Sequence, residues 1–169
     1  LDITNVDSSR IKTGLQFSLT VSNLSSRAAP RGKTNALWLT RFTAKSLGTF
    51  GEEAYRIFYD GAESQLGGPL SYFVGSGEAD TTTPGNGCRS TSTPGTCKIV
   101  YYPVEGAATG SVSGNTITVT VPYSAWGPTR PLAADATLFS VTGLTFGRNA
   151  SEDLYADVDA SHAFDLKGK

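Results

Sequence analysis

The acidic run Glu152-Asp153-Leu154-Tyr155-Ala156-Asp157-Val158-Asp159 is the densest group of chemistry-bearing side chains in this 169-residue sequence. In an extended chain alternate residues share a face, so Asp157 and Asp159 would present their carboxylates together. A hard cation such as Ca²⁺ takes several oxygens at about 2.4 Å. Asp2, with Asp7 or Asp60, would complete such a set if the terminal strands meet. The run reads equally well as a charged border that discourages edge-to-edge pairing of sheets. Paired carboxylates also raise glycoside hydrolysis, where an acid and a base flank the scissile bond, but none of the 15 acidic residues is marked out as either. A Ser-His-Asp relay would have to use His162, the single histidine, which lies beside Ser161 with no Gly-x-Ser-x-Gly elbow. No catalytic set is assigned.

Aromatic rings are the second lead. Tyr72, Tyr102, Trp126 and Tyr155, with Phe73, Tyr101 and Tyr123 beside them, would stack on the apolar faces of sugars if displayed on a sheet or loop. Neighbours such as Tyr101 and Tyr102 point to opposite sides of a strand, so one of each pair belongs to the core. Trp38, between Leu37 and Leu39, reads as packed, and Trp126 as closing one end of the molecule.

Cys88 and Cys97, the only two cysteines, bracket a polar, turn-rich stretch, and a disulfide pinning a loop is the natural reading. Closing so short a ring contributes roughly 2.5–3 kcal/mol in the chain-entropy model. With one His, two Cys and no Met, the four ligands of a zinc site are out of reach. Charged residues are only 17% and the net charge is −1, while 39 Ser and Thr keep the surface wet. No basic stripe tracks a phosphate backbone and no apolar run spans a membrane. An exported protein is expected, without a nucleic-acid or membrane partner. The abrupt opening on Leu1-Asp2-Ile3-Thr4 suggests one domain, residues 1–169, excised from a larger chain.

The elements that would position these residues are strands. Leu15, Phe17, Leu19 and Val21 alternate with polar residues at period two. Similar segments lie at Leu1 to Val6, Ala36 to Phe42, Tyr55 to Tyr59, Leu70 to Val74, Lys98 to Tyr102, Thr116 to Val121, Leu138 to Phe146 and Ala163 to Leu166. Ser113-Gly114-Asn115-Thr116 predicts a tight hairpin in which Gly and Asn take positive φ. Pro122 to Pro128 has room for one helical turn. Ser25 to Thr34, Thr43 to Glu53 and Gly75 to Thr96 read as long loops. The fold class is all-β: an antiparallel two-sheet sandwich of jelly-roll or Ig-like type, with a closed barrel as the competing solution.

Three stretches resemble accessory β-sandwich modules of secreted bacterial hydrolases, notably subtilisin-like proteases. They are Leu15 to Leu24 with Ala36 to Phe42, Thr109 to Pro122, and Asp153 to Ala160. The resemblance implies a non-catalytic domain, covalently linked to a parent enzyme, which attaches it to a substrate or surface and sometimes binds calcium. The expected partner is therefore a polysaccharide or cell-surface polymer. The alternatives are a purely structural domain that stabilises an extracellular protease or adhesin and, third, a glycoside hydrolase.

Overall fold

The computed structural model describes residues 2–25, 27–47, 53–79, 99–102, 108–126, 132–149 and 156–168. They form strands β1 (Ile3–Ile11), β2 (Gly14–Val21), β3 (Asn35–Leu47), β4 (Glu53–Gln65), β5 (Leu70–Ala79) and β6 (Ile99–Tyr102). After these come β7 (Thr109–Ser113), β8 (Thr116–Pro122), β9 (Leu138–Arg148), β10 (Ala156–Ala160) and β11 (Phe164–Leu166), and a 3-10 turn, Tyr123–Trp126, follows β8. The smaller sheet runs β1-β2-β8-β7 and the larger β10-β9-β3-β4-β5-β6, with β11 also paired to β9. Every ladder is antiparallel. The expected sandwich is what forms, as two separate sheets. No helix among the described residues is long and apolar enough to cross a membrane.

Alternation builds the smaller sheet. Leu15, Phe17, Leu19 and Val21 of β2 and Ile117, Val119 and Val121 of β8 are buried, while the intervening hydroxyls face the other way and pair across the strands. Ser18 meets Thr118 at 3.2 Å and Thr20 meets Thr116 at 2.8 Å. These hydroxyl pairs are how Ser and Thr replace charge on an outer surface.

The core lies between the sheets. Phe17 stacks on Phe42 at 5.4 Å and Phe42 on Phe58 at 5.5 Å. Trp126, carried in by the 3-10 turn, meets Phe42 and Phe58 edge-on at 5.6 and 5.3 Å. Offset and edge-to-face pairs of this kind each add about 0.5–1.5 kcal/mol beyond burial.

Three sequence expectations change. In the stretch Thr43 to Glu53 the described residues are strand, because β3 continues to Leu47 and β4 begins at Glu53. Its inner face there is carried by Ala44 and Ser46, whose small side chains leave little hydrophobic signal. Similarly, β5 extends to Ala79, into the Gly75 to Thr96 stretch read as loop. In the β7–β8 hairpin Gly114 alone takes positive φ, at 58°. Asn115 instead ties the turn to the chain after β2, accepting from the Leu24 N–H at 3.2 Å and donating to the Ser22 carbonyl at 3.0 Å.

One irregularity decides what the larger sheet displays. Leu138 and Val141 are both fully buried although they are three residues apart, which period-two alternation forbids. A bulge where Arg41 and Thr43 of β3 meet β9 resolves the conflict, with Ser140 in the left-handed region at φ 52°. Such a bulge switches the face of every residue beyond it. Phe139 is thereby turned to the outside.

Candidate functional site

The outer face of the larger sheet differs from the hydroxyl-lined outer face of the smaller one. Residues opposite one another across a ladder share a face, so the register collects Leu37, Leu39, Ile57, Tyr59, Phe73, Phe139 and Leu144 on it, with Tyr55 at one end. None of these belongs to the cluster between the sheets or packs against it, and Leu37 and Leu144 are themselves buried, at 4% and 8% exposure. Tyr55 is 59% exposed. Leu39, Ile57, Tyr59, Phe73 and Phe139 are half-buried.

Two glycines shape this surface. The position that a side chain on Gly75 would occupy is filled by the ring of Tyr59, and the Phe73 ring crowds the same position over Gly61. Each glycine lies directly opposite its ring on the neighbouring strand. Each ring thus packs over the bare backbone of the opposite strand, the two planes inclined 60° to one another. Tyr59 and Phe73 sit 6.4 Å apart. Tyr55 meets Phe139 edge-on at 5.9 Å, and Lys45 Nζ stands 5.8 Å from the Tyr55 ring centre.

At the far end of the same face an open cleft of about 460 Å³ is lined by Asn35, Glu63, Gln65, Pro69, Ser71 and Arg148. Its floor is an ion pair: Arg148 Nε and Nη2 donate to Glu63 Oε1 and Oε2 at 2.7 and 2.6 Å. Asn35 Nδ2 donates to Glu63 Oε1 at 2.6 Å, and Thr34 Oγ1 donates to Asn35 Oδ1 at 2.8 Å. Bidentate geometry fixes the guanidinium plane as well as its charge.

The inner side of β4 bears the consequence. Phe58, Ala62 and Ser64 face inward as strand geometry allows, but so do Arg56 and Asp60. Asp60 is fully buried, and neither carboxylate oxygen has a hydrogen-bond partner among the described residues. Burial pushes its pKa well above the usual carboxylate range.

The residues singled out from the sequence are distributed differently. Trp126 is 1% exposed, inside the aromatic core, so its ring is spent on packing and cannot serve as a sugar platform. Tyr72 is half-buried and turned inward, its ring against Gly110 of β7; its neighbour Phe73 takes the outer side, as strand alternation requires. Tyr102 lies in β6, and its side chain is outside the described residues, as are Tyr155, Cys88 and Cys97 and therefore the expected disulfide. Asp2 is exposed, while Asp159 Oδ2 accepts from the Ile3 N–H at 2.6 Å and joins the first strand to β10. A bulge between Asp157 and Asp159 sets these positions opposite Phe146 and Thr145, adjacent residues on opposite faces of β9. The side chain of Asp157 lies outside the described residues. Among the described residues no group of three His, Cys, Asp or Glu is placed to hold a metal.

Tyr55, Tyr59 and Phe139 were not legible as surface rings. The first two alternate with Arg56, Phe58 and Asp60, so either side of β4 could have been the inner one, and the bulge hides the third. No family model, curated protein or solved structure matches this chain.

Proposed function

We propose that this chain is a non-catalytic β-sandwich module of a secreted protein, and that it holds its parent domain on a polysaccharide or surface polymer. The observation that carries this reading is the outer face of the larger sheet, where aromatic rings separate from the core run toward a polar cleft. Tyr55 is left 59% exposed on that face, where a ligand can cover its ring. Rings seated on the sheet suit the C–H faces of sugars, and the amide, hydroxyl and carboxylate of the cleft suit their hydroxyls.

Retention on insoluble polysaccharides tests this. The native chain is expected to be retained on at least one polymer, and the Tyr55→Ala, Phe139→Ala double variant to wash off. A second reading is favoured by Leu39 and Ile57, aliphatic residues on the same face: the face packs on the parent domain and stabilises it. No retention on any polymer, with a lower melting temperature of the parent when this domain is deleted, would establish that reading instead.

A further inference from the structure

The geometry points to a neutral, hydroxyl-rich glycan as the class of polymer bound, with the cleft at the β4–β5 end of the sheet as the subsite that selects it against acidic polymers. The inference rests on the polysaccharide reading above. From Tyr55 to Gln65 the outer face of β4 extends about 33 Å at the usual rise per residue, so rings and cleft address successive parts of one extended chain.

Charge in the cleft is balanced before any ligand arrives. The Arg148 guanidinium, the natural anchor for a uronate or sulfate, is held bidentately by Glu63, with the two side chains only 28% and 15% exposed. An anionic sugar would have to displace Glu63 or lie against it, and like charges at close range are costly. A neutral sugar meets no such barrier. Glu63 Oε1 already accepts from Asn35 and Arg148, while Oε2 accepts from Arg148 alone and keeps a lone pair for a hydroxyl. The exposed Gln65 amide adds a donor and an acceptor, and the Ser71 hydroxyl lies beside them.

The turn that carries Gln65 and Pro69 is independently unusual. Leu66 occupies the left-handed region at φ 53° and is 77% exposed. Leu66 and Gly67 both take the positive φ of a primed hairpin turn, closed by the Gly68 N–H donating to the Gln65 carbonyl at 2.9 Å. The turn is further fixed: Leu66 N–H donates to the Thr34 carbonyl at 2.8 Å, and Ser64 Oγ donates to the Gly68 carbonyl at 2.9 Å. Pro69 thus gives the cleft a fixed apolar edge against which a sugar ring can rest.

Affinity electrophoresis of the whole chain through gels containing a soluble neutral β-glucan or a polygalacturonate tests the inference. The native chain should be retarded by the glucan and not by the polygalacturonate, with little effect of salt. Glu63→Gln removes the carboxylate that holds Arg148 bidentately. It should gain about tenfold in affinity for polygalacturonate at low salt, lost again at high salt, while its hold on the glucan weakens. Gln65→Ala, at an exposed position, should weaken glucan binding alone, and melting curves confirm that each variant is folded. Preference of the native chain for polygalacturonate would overturn the inference. So would Glu63→Gln with both affinities unchanged while Tyr55→Ala abolishes glucan binding, a result that leaves the polysaccharide reading standing. Retardation by neither polymer, nor by any other in the retention panel, would remove both.

Discussion

Asp60 lies opposite Thr40 and Val74 in the middle of the larger sheet, with Arg56 two positions along the same strand face. Its carboxyl has no hydrogen-bond partner among the described residues, and burial holds its pKa well above the usual range. Below about pH 3.9, where an unfolded aspartate takes up its proton, folded and unfolded chains both carry it and this group opposes folding least. As pH rises through that value the unfolded chain ionises first, and stability is lost until the raised folded value is reached. Urea unfolding across this range should therefore show stability falling with pH above about 4, superimposed on the other carboxylates. Asp60→Asn should flatten that fall and raise the melting temperature at pH 7. A variant with an unchanged slope would show that Asp60 is ionised without penalty.

Strands differ in how clearly their residues announce them. In β2 and β8 every inner position is a large apolar residue and the outer ones, apart from Gly14 and Pro122 at the strand ends, are hydroxyls or an amide, so the strands and their faces follow from the pattern. In β4 the pattern is balanced, with Tyr55, Ile57 and Tyr59 against Arg56, Phe58 and Asp60, and only tertiary pairing with β3 and β5 decides which set goes inside. The sandwich was therefore legible, whereas the face that matters was not. Trp126 illustrates the same limit: a tryptophan after a strand end can plug a core or face solvent, and here Phe42 and Phe58 claim it. Bulges in β9 and β10 add a further shift that period-two reading cannot foresee. Turns carry their own test. Leu66→Gly should relieve the left-handed strain and stabilise the chain by about 1 kcal/mol in urea unfolding. No gain would show that Leu66 is held there without strain.

For the whole molecule, the two sheets present opposite characters. The outer side of the smaller sheet is laced with paired hydroxyls, while that of the larger one carries rings and a polar cleft. What joins them is the aromatic stack from Phe17 through Phe42 to Phe58 and Trp126. Phe42→Ala should cost about 3–5 kcal/mol by the usual cavity penalty, read as a drop in the urea midpoint. Tyr55→Ala, at the exposed end of the outer face, should cost little stability and much binding. The point where a ligand touches distinguishes these two faces. Backbone amide chemical shifts, followed while a neutral oligosaccharide is titrated into the isotope-labelled chain, locate that contact directly. The shifts are predicted to gather on β3, β4, β5 and β9 around Tyr55, Tyr59, Phe139 and the Glu63–Arg148 cleft. Shifts gathered instead on the hydroxyl-covered face of β2 and β8 would contradict that prediction.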